Sequence, residues 1–165
     1  MSKRLVWMSG LAAVAGLAVV VAVTLALVPQ QTHPAFAAAL EFAEAAGRGE
    51  AAADALLAPP LRGYAAANCP DGRAAGCIQA YTPPEWGRFL SVVFRRAAPD
   101  GPAWNVELIA TYAQDLGFSG VCIYLRLEPE PDGAWRVARW AGYVSCGDPA
   151  SRNMAANPAA PNRAP

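Results

Sequence analysis

Trp104-Asn-Val-Glu-Leu-Ile-Ala-Thr-Tyr112 sets Trp104, Val106, Leu108, Ala110 and Tyr112 against Asn105, Glu107, Ile109 and Thr111. That is period two, the mark of a half-buried strand. Downstream, Val121, Ile123, Leu125 and Leu127 alternate with Cys122, Tyr124, Arg126 and Glu128. Trp135, Val137, Arg139, Ala141 and Tyr143 alternate with Arg136, Ala138, Trp140 and Val144. Pro99-Asp100-Gly101 and Pro131-Asp132-Gly133 punctuate the run as hairpin turns, and Leu116 to Gly120 joins the middle pair. With the β-favouring Ser91-Val-Val-Phe94 ahead of them, these segments predict an antiparallel meander of about four strands.

Upstream the period changes. Pro34 to Ala46 reads as a helix with Phe36, Leu40 and Ala43 on one face, Pro34 in its first turn and Gly47 at its end. Glu50 to Leu57 predicts a second, short helix stopped by Pro59-Pro60, and Leu61 to Tyr64 adds a turn. Thr82-Pro-Pro-Glu85 has the form of a capping box followed by Trp86, Phe89, Leu90 and Val93 at helical spacing. It predicts a helix from about Pro83 to Leu90 that passes into a strand by Val92. Helices first and strands after them give an α+β domain, two to three helices packed on the sheet. Asp148 to Pro165 is Ala, Pro and Asn without apolar periodicity and predicts a disordered tail.

The chain has 165 residues and a formal net charge of zero, with 13 basic and 13 acidic side chains. It is long enough for one ordinary domain, and it lacks the basic stripe that a nucleic-acid partner would require. Lys3 is the only lysine among abundant Ala, Gly and Pro, a composition in keeping with a GC-rich bacterial genome. Leu5 to Val28 runs without a charge, and as a helix would reach roughly 36 Å, enough to cross a bilayer. Lys3 and Arg4 precede it, and no base follows until Arg48. The positive-inside rule then predicts a cytoplasmic tail (1–4), a transmembrane helix (5–28) with Trp7 near its inner interface, a linker (29–33) and an exported domain (34–147). The alternative is a cleaved signal peptide with Ala35-Phe36-Ala37 as its cleavage site; the apolar run is longer than such peptides carry. Either way the domain leaves the cytoplasm.

Four cysteines, Cys69, Cys77, Cys122 and Cys146, all lie on the exported side, where an even count reads as two disulfides rather than buried free thiols. Cys69 and Cys77 enclose the turn former Pro70-Asp71-Gly72, which favours that local pair. Cys122 with Cys146 remains. In the simplest hairpin register Cys122 faces about Ala141, too far from Cys146 for a bond, unless a bulge at Gly142 or a curling strand end closes the gap. The spacing does not match a zinc site, and the single histidine, His33, lies in the linker.

Phe36-Ala-Ala-Ala-Leu-Glu-Phe-Ala-Glu-Ala-Ala-Gly-Arg-Gly-Glu-Ala-Ala-Ala-Asp-Ala-Leu-Leu-Ala-Pro59 resembles the opening of the nuclear transport factor two-like (SnoaL-like) superfamily: a helix, a glycine-containing bend and a short helix before the sheet. Gly133-Ala-Trp-Arg-Val-Ala-Arg-Trp140 looks like that family's last strand pair. The resemblance covers roughly Phe36 to Val144, and the insert between Cys69 and Cys77 departs from it. It implies a cone, with a curved sheet wrapped around a long helix and a pocket at the wide end. Members dehydrate, isomerise or bind small molecules, and dimers through the sheet are common; a fold so widely shared names no single function.

Enzymes of that family use a pocket His, Asp or Tyr. Here only Asp115 and Tyr112, at a strand end, are candidates for an acid and a base. Glu107, Arg126, Glu128, Arg136 and Arg139 read either as an anion-binding cluster or as the solvated face of the sheet. The aromatics Trp86, Tyr112, Tyr124, Trp135 and Trp140 are candidates for a pocket or an interface. Trp135 and Trp140 differ in parity, so a regular strand would point them to opposite faces and leave aromatic surface on the outside. No phosphate loop, nucleophile elbow, metal spacing or cofactor motif is found. The reading is a membrane-tethered extracytoplasmic binding or interaction module without assignable catalysis. Its partners are the membrane, a small apolar ligand or a membrane protein, or a second copy. The alternatives are a SnoaL-like dehydratase or isomerase and a structural component of an envelope complex.

Overall fold

The computed structural model describes residues 33–114 and 120–146, together with residues 16 and 17. The chain divides after His33 into two compact units. In the first, Gly16 and Leu17 are helical and exposed; the rest of Leu5 to Val28, the predicted transmembrane segment, lies outside the described residues. Among the described residues no helix is long and apolar enough to cross a membrane. The tail from Asp148 and the candidate Asp115 also lie outside them.

The second unit opens with α1, Pro34–Gly47. Its buried face is Phe36, Ala39, Phe42, Ala43 and Ala46, a stripe at spacings of three and four. The alanines bring the helix axis close to the sheet, and the two phenylalanines fill what the alanines leave. Phe42 stacks on Trp140 at 6.0 Å, and Phe36 meets Phe94 and Trp104, each at 5.1 Å. Each such ring withdrawn from water contributes on the order of 1.5–3 kcal/mol.

After α2, Ala52–Ala55, the chain pairs briefly with the sheet: Leu57 forms a parallel bridge to Val137. Ala58 N–H donates to Val137 O at 2.9 Å and Val137 N–H to Leu56 O at 2.8 Å. Pro59-Pro60 does more than stop a helix, since it opens α3, Pro59–Asn68, a full helix where a single turn was expected. Proline fits the first turn because its missing N–H is needed by no partner there. Cys69 leads into a 3-10 turn, Pro70–Gly72, and then α4, Ala74–Tyr81. The Cys69–Cys77 disulfide joins the two, with Cα atoms 4.8 Å apart. The first N–H of α4, on Ala74, donates at 2.8 Å to Asp54 Oδ1, a cap supplied from α2.

The helix expected from Pro83 to Leu90 is not formed; only a 3-10 turn, Pro84–Trp86, stands there. Thr82 closes α4 instead of opening a new helix: its N–H and its hydroxyl both donate to Ile78 O, at 3.1 and 2.9 Å. Thr82 and Pro83 each precede a proline and are extended, at ψ 113° and 133°. Gly87, at φ 69° and ψ −158°, then turns the chain out of any helix.

Among the described residues the strands are β1 Phe89–Asp100, β2 Ala103–Tyr112, β3 Val121–Pro129 and β4 Trp135–Ser145, antiparallel in the order β1-β2-β3-β4. The α+β class and the four-strand meander therefore stand as read from the sequence. The alternation in β2 and β3 holds: Val106, Leu108, Ala110, Ile123, Leu125 and Leu127 are all buried in the common core.

β4 departs from the regular pattern twice. Leu127 pairs with Val137 but Arg126 with Arg139, and Ile123 pairs with Gly142 but Cys122 with Val144. Each step leaves one extra residue on β4, Ala138 and then Tyr143, the signature of a β-bulge. The first bulge reverses the parity that a regular strand would keep. Val137 and Trp140 both face the core, and Trp140 is only 1% exposed. The outer aromatic surface expected from opposite parity is thus not built from Trp140. The second bulge carries the strand end forward, and Cys122 and Cys146 form a disulfide with Cα atoms 5.0 Å apart. Cys122 faces Val144 rather than Ala141 because both bulges, the second beside Gly142, carry β4 forward, and Cys146 N–H donates to Gly120 O at 2.9 Å.

The outer face carries the charges. Glu107 is 4% exposed and accepts two hydrogen bonds from Arg96, with Arg95 at 3.8 Å. Arg126 is held between Asp100 and Glu128, the latter at 2.7 Å. Arg96 meets Glu107 across adjacent strands, while Arg126 meets Glu128 within β3 and reaches Asp100 at the end of β1.

Candidate functional site

A pocket of about 450 Å³ opens at the end of the sheet where β1 begins and β2 finishes. Its walls come from three places. Gly47 and Arg48 end α1; Ile78, Gln79 and Thr82 lie on or just past the last turn of α4; Pro83 and Pro84 lead on to Gly87, Arg88 and Phe89. Tyr112, from β2, completes the lining. Phe89 and Tyr112 are cross-strand partners, with rings 5.7 Å apart and nearly perpendicular. Trp86 covers the other side of Tyr112 at 5.5 Å.

Backbone bonds fix the rim. Gln114 N–H donates to Trp86 O at 3.0 Å, and Ala113 N–H to Arg88 O at 2.9 Å. The one-turn segment is thereby tied to the strand it follows around, and Arg88 is held at the mouth. Ile78, Phe89 and the two prolines make an apolar wall, while Arg48, Arg88, Gln79 and Thr82 supply polar groups. Burial pushes the Tyr112 phenol above its ordinary range, with the Thr82 hydroxyl in hydrogen-bond reach partly offsetting this. At neutral pH Tyr112 is therefore an uncharged hydroxyl.

The residues singled out in the sequence do not converge. Tyr112 lines the pocket and Trp86 backs it. Tyr124 lies on the outer face, opposite Glu107 and Ala141. Trp140 is in the core beside Phe42, and Trp135 pairs with Pro129 at the far end of the sheet. The four cysteines are spent in disulfides. Among the described residues no group of three or more His, Cys, Asp or Glu could hold a metal ion. Arg48, Ile78, Gln79, Thr82, Arg88 and Phe89 were not picked out by pattern. They come from three stretches of chain, and Thr82 and Phe89 carried only a local helix signal, that of the capping box and the spacing after it. Compared with family models, with curated proteins and with solved structures, the chain matches none.

Proposed function

We propose that the chain is a membrane-tethered, extracytoplasmic binding module of the SnoaL-like kind, which takes a small molecule in the pocket at the Phe89–Tyr112 end of its sheet. The observation that carries this reading is the pocket: about 450 Å³, one wall apolar and the rim polar. That volume and mixed lining are those of small-molecule sites. The helix-helix-meander order supports the family and its cone. The two disulfides, with Lys3 and Arg4 ahead of Leu5 to Val28, support the placement outside the cytoplasm.

Native mass spectrometry of the full chain, released from non-ionic detergent, tests it. The expected result is a small bound mass in the wild type that is lost in Gln79→Trp, which fills the mouth from an exposed lining position. A bare chain in both spectra would sink the reading. A second reading, an enzyme of the dehydratase or isomerase type, is favoured by one feature: the hydroxyl-bearing Tyr112 lines the pocket.

A further inference from the structure

We propose that the pocket's ligand is an organic carboxylate whose apolar body lies against Ile78 and Phe89 and whose charged end is taken by Arg88 and Arg48. This rests on the pocket reading above and adds the charge of the ligand to it. On the outer face Arg95 and Arg96 are tied to the buried Glu107, and Arg126 to Asp100 and Glu128. At the pocket no described lining residue plays that part. Two arginines and no carboxylate are among its described lining residues. Arg88 has no hydrogen-bond or ion-pair partner for its guanidinium among the described residues. Arg48 meets only Glu44, at 3.6 Å with both side chains about half exposed, a pair worth little in water.

The geometry suits the chemistry. Arg88 immediately precedes Phe89, and Arg48 immediately follows Gly47, so each cation stands next to the wall that would receive the apolar body. Guanidinium groups take carboxylates through paired, charge-assisted hydrogen bonds that a neutral hydroxyl cannot match. Gln79 and Thr82 add uncharged hydrogen-bonding groups at the same rim.

The test uses the full chain in non-ionic detergent and a matched pair of probes, 4-phenylbutyrate and 4-phenylbutan-1-ol, followed by the fluorescence of Trp86 beside Tyr112. The acid should bind about tenfold or more tightly than the alcohol, the margin expected when a charged hydrogen bond replaces a neutral one. The preference should shrink as salt is raised and should vanish in Arg88→Gln. Arg48→Gln should reduce it in part. Equal affinity for the two probes would overturn the carboxylate assignment and leave the pocket reading standing. A preference untouched in both variants would overturn it likewise. Binding of neither probe would remove both.

Discussion

Phe89 lies against the bare Cα of Gly47: a β-carbon placed there would sit 2.6 Å from Phe89 Cδ2. The end of α1 and the start of β1 approach this closely because one of the two residues has no side chain. The same contact fixes the apolar wall of the pocket, since both residues line it.

Gly47→Ala should therefore displace Phe89. The gain in helix propensity, up to about 1 kcal/mol, is outweighed by overpacking of about 1–3 kcal/mol. A net loss is expected in thermal unfolding, together with weaker probe binding. Adding Phe89→Leu should recover stability, and a double-mutant cycle would show the coupling.

Asp54→Ala should cost about 0.5–2 kcal/mol, although Asp54 lies in a helix of only four residues. Its carboxylate caps α4 from a distance, and α4 carries part of the pocket wall. Denaturant unfolding measures the loss; Asp54→Asn should retain most of the stability, because an amide oxygen accepts the same hydrogen bond.

The two disulfides should contribute unequally. Their sequence separations are 8 and 24. On the loop-entropy estimate the first is worth about 2.5 kcal/mol and the second about 3.5 kcal/mol. Paired serine variants, unfolded in denaturant, would rank them. A larger loss from Cys69→Ser with Cys77→Ser would mean that the α3–α4 corner depends on its bond for more than chain entropy.

Tyr112 should titrate late. Its phenol is held above the ordinary value by burial, so the folded state binds that proton more tightly than the unfolded chain does. The resulting stability is fully present below the ordinary tyrosine pKa and is lost as pH rises through the higher folded value. Alkaline difference absorbance should show a tyrosine ionising above the ordinary range, and Tyr112→Phe should remove that step.

The strands were legible because alternation survives wherever one face is buried. Leu108 and Leu125 fall on the core side as their parity requires. Trp140 did not follow its parity, because a bulge is one residue of backbone with no mark in the hydrophobic pattern. Thr82-Pro-Pro-Glu85 carried a helix-start signal, yet Thr82 was already engaged by Ile78 from the preceding helix. Local chemistry could not show which neighbour would claim it. The pocket was illegible for a related reason. Arg48 and Arg88 are unremarkable in their own segments and become a pair only when α1 and β1 meet at Gly47 and Phe89.

The bridge between Leu57 and Val137 covers one side of β4, while β1 has no further strand beyond it among the described residues. The sheet thus has one edge latched at a single point, and the latch joins an early segment to the last strand. During synthesis this latch has nothing to close on until β4 has emerged. The residues of the Cys69–Cys77 corner all precede β4 in the chain. A chain cut short ahead of Trp135 would lack the partner of Leu57 altogether.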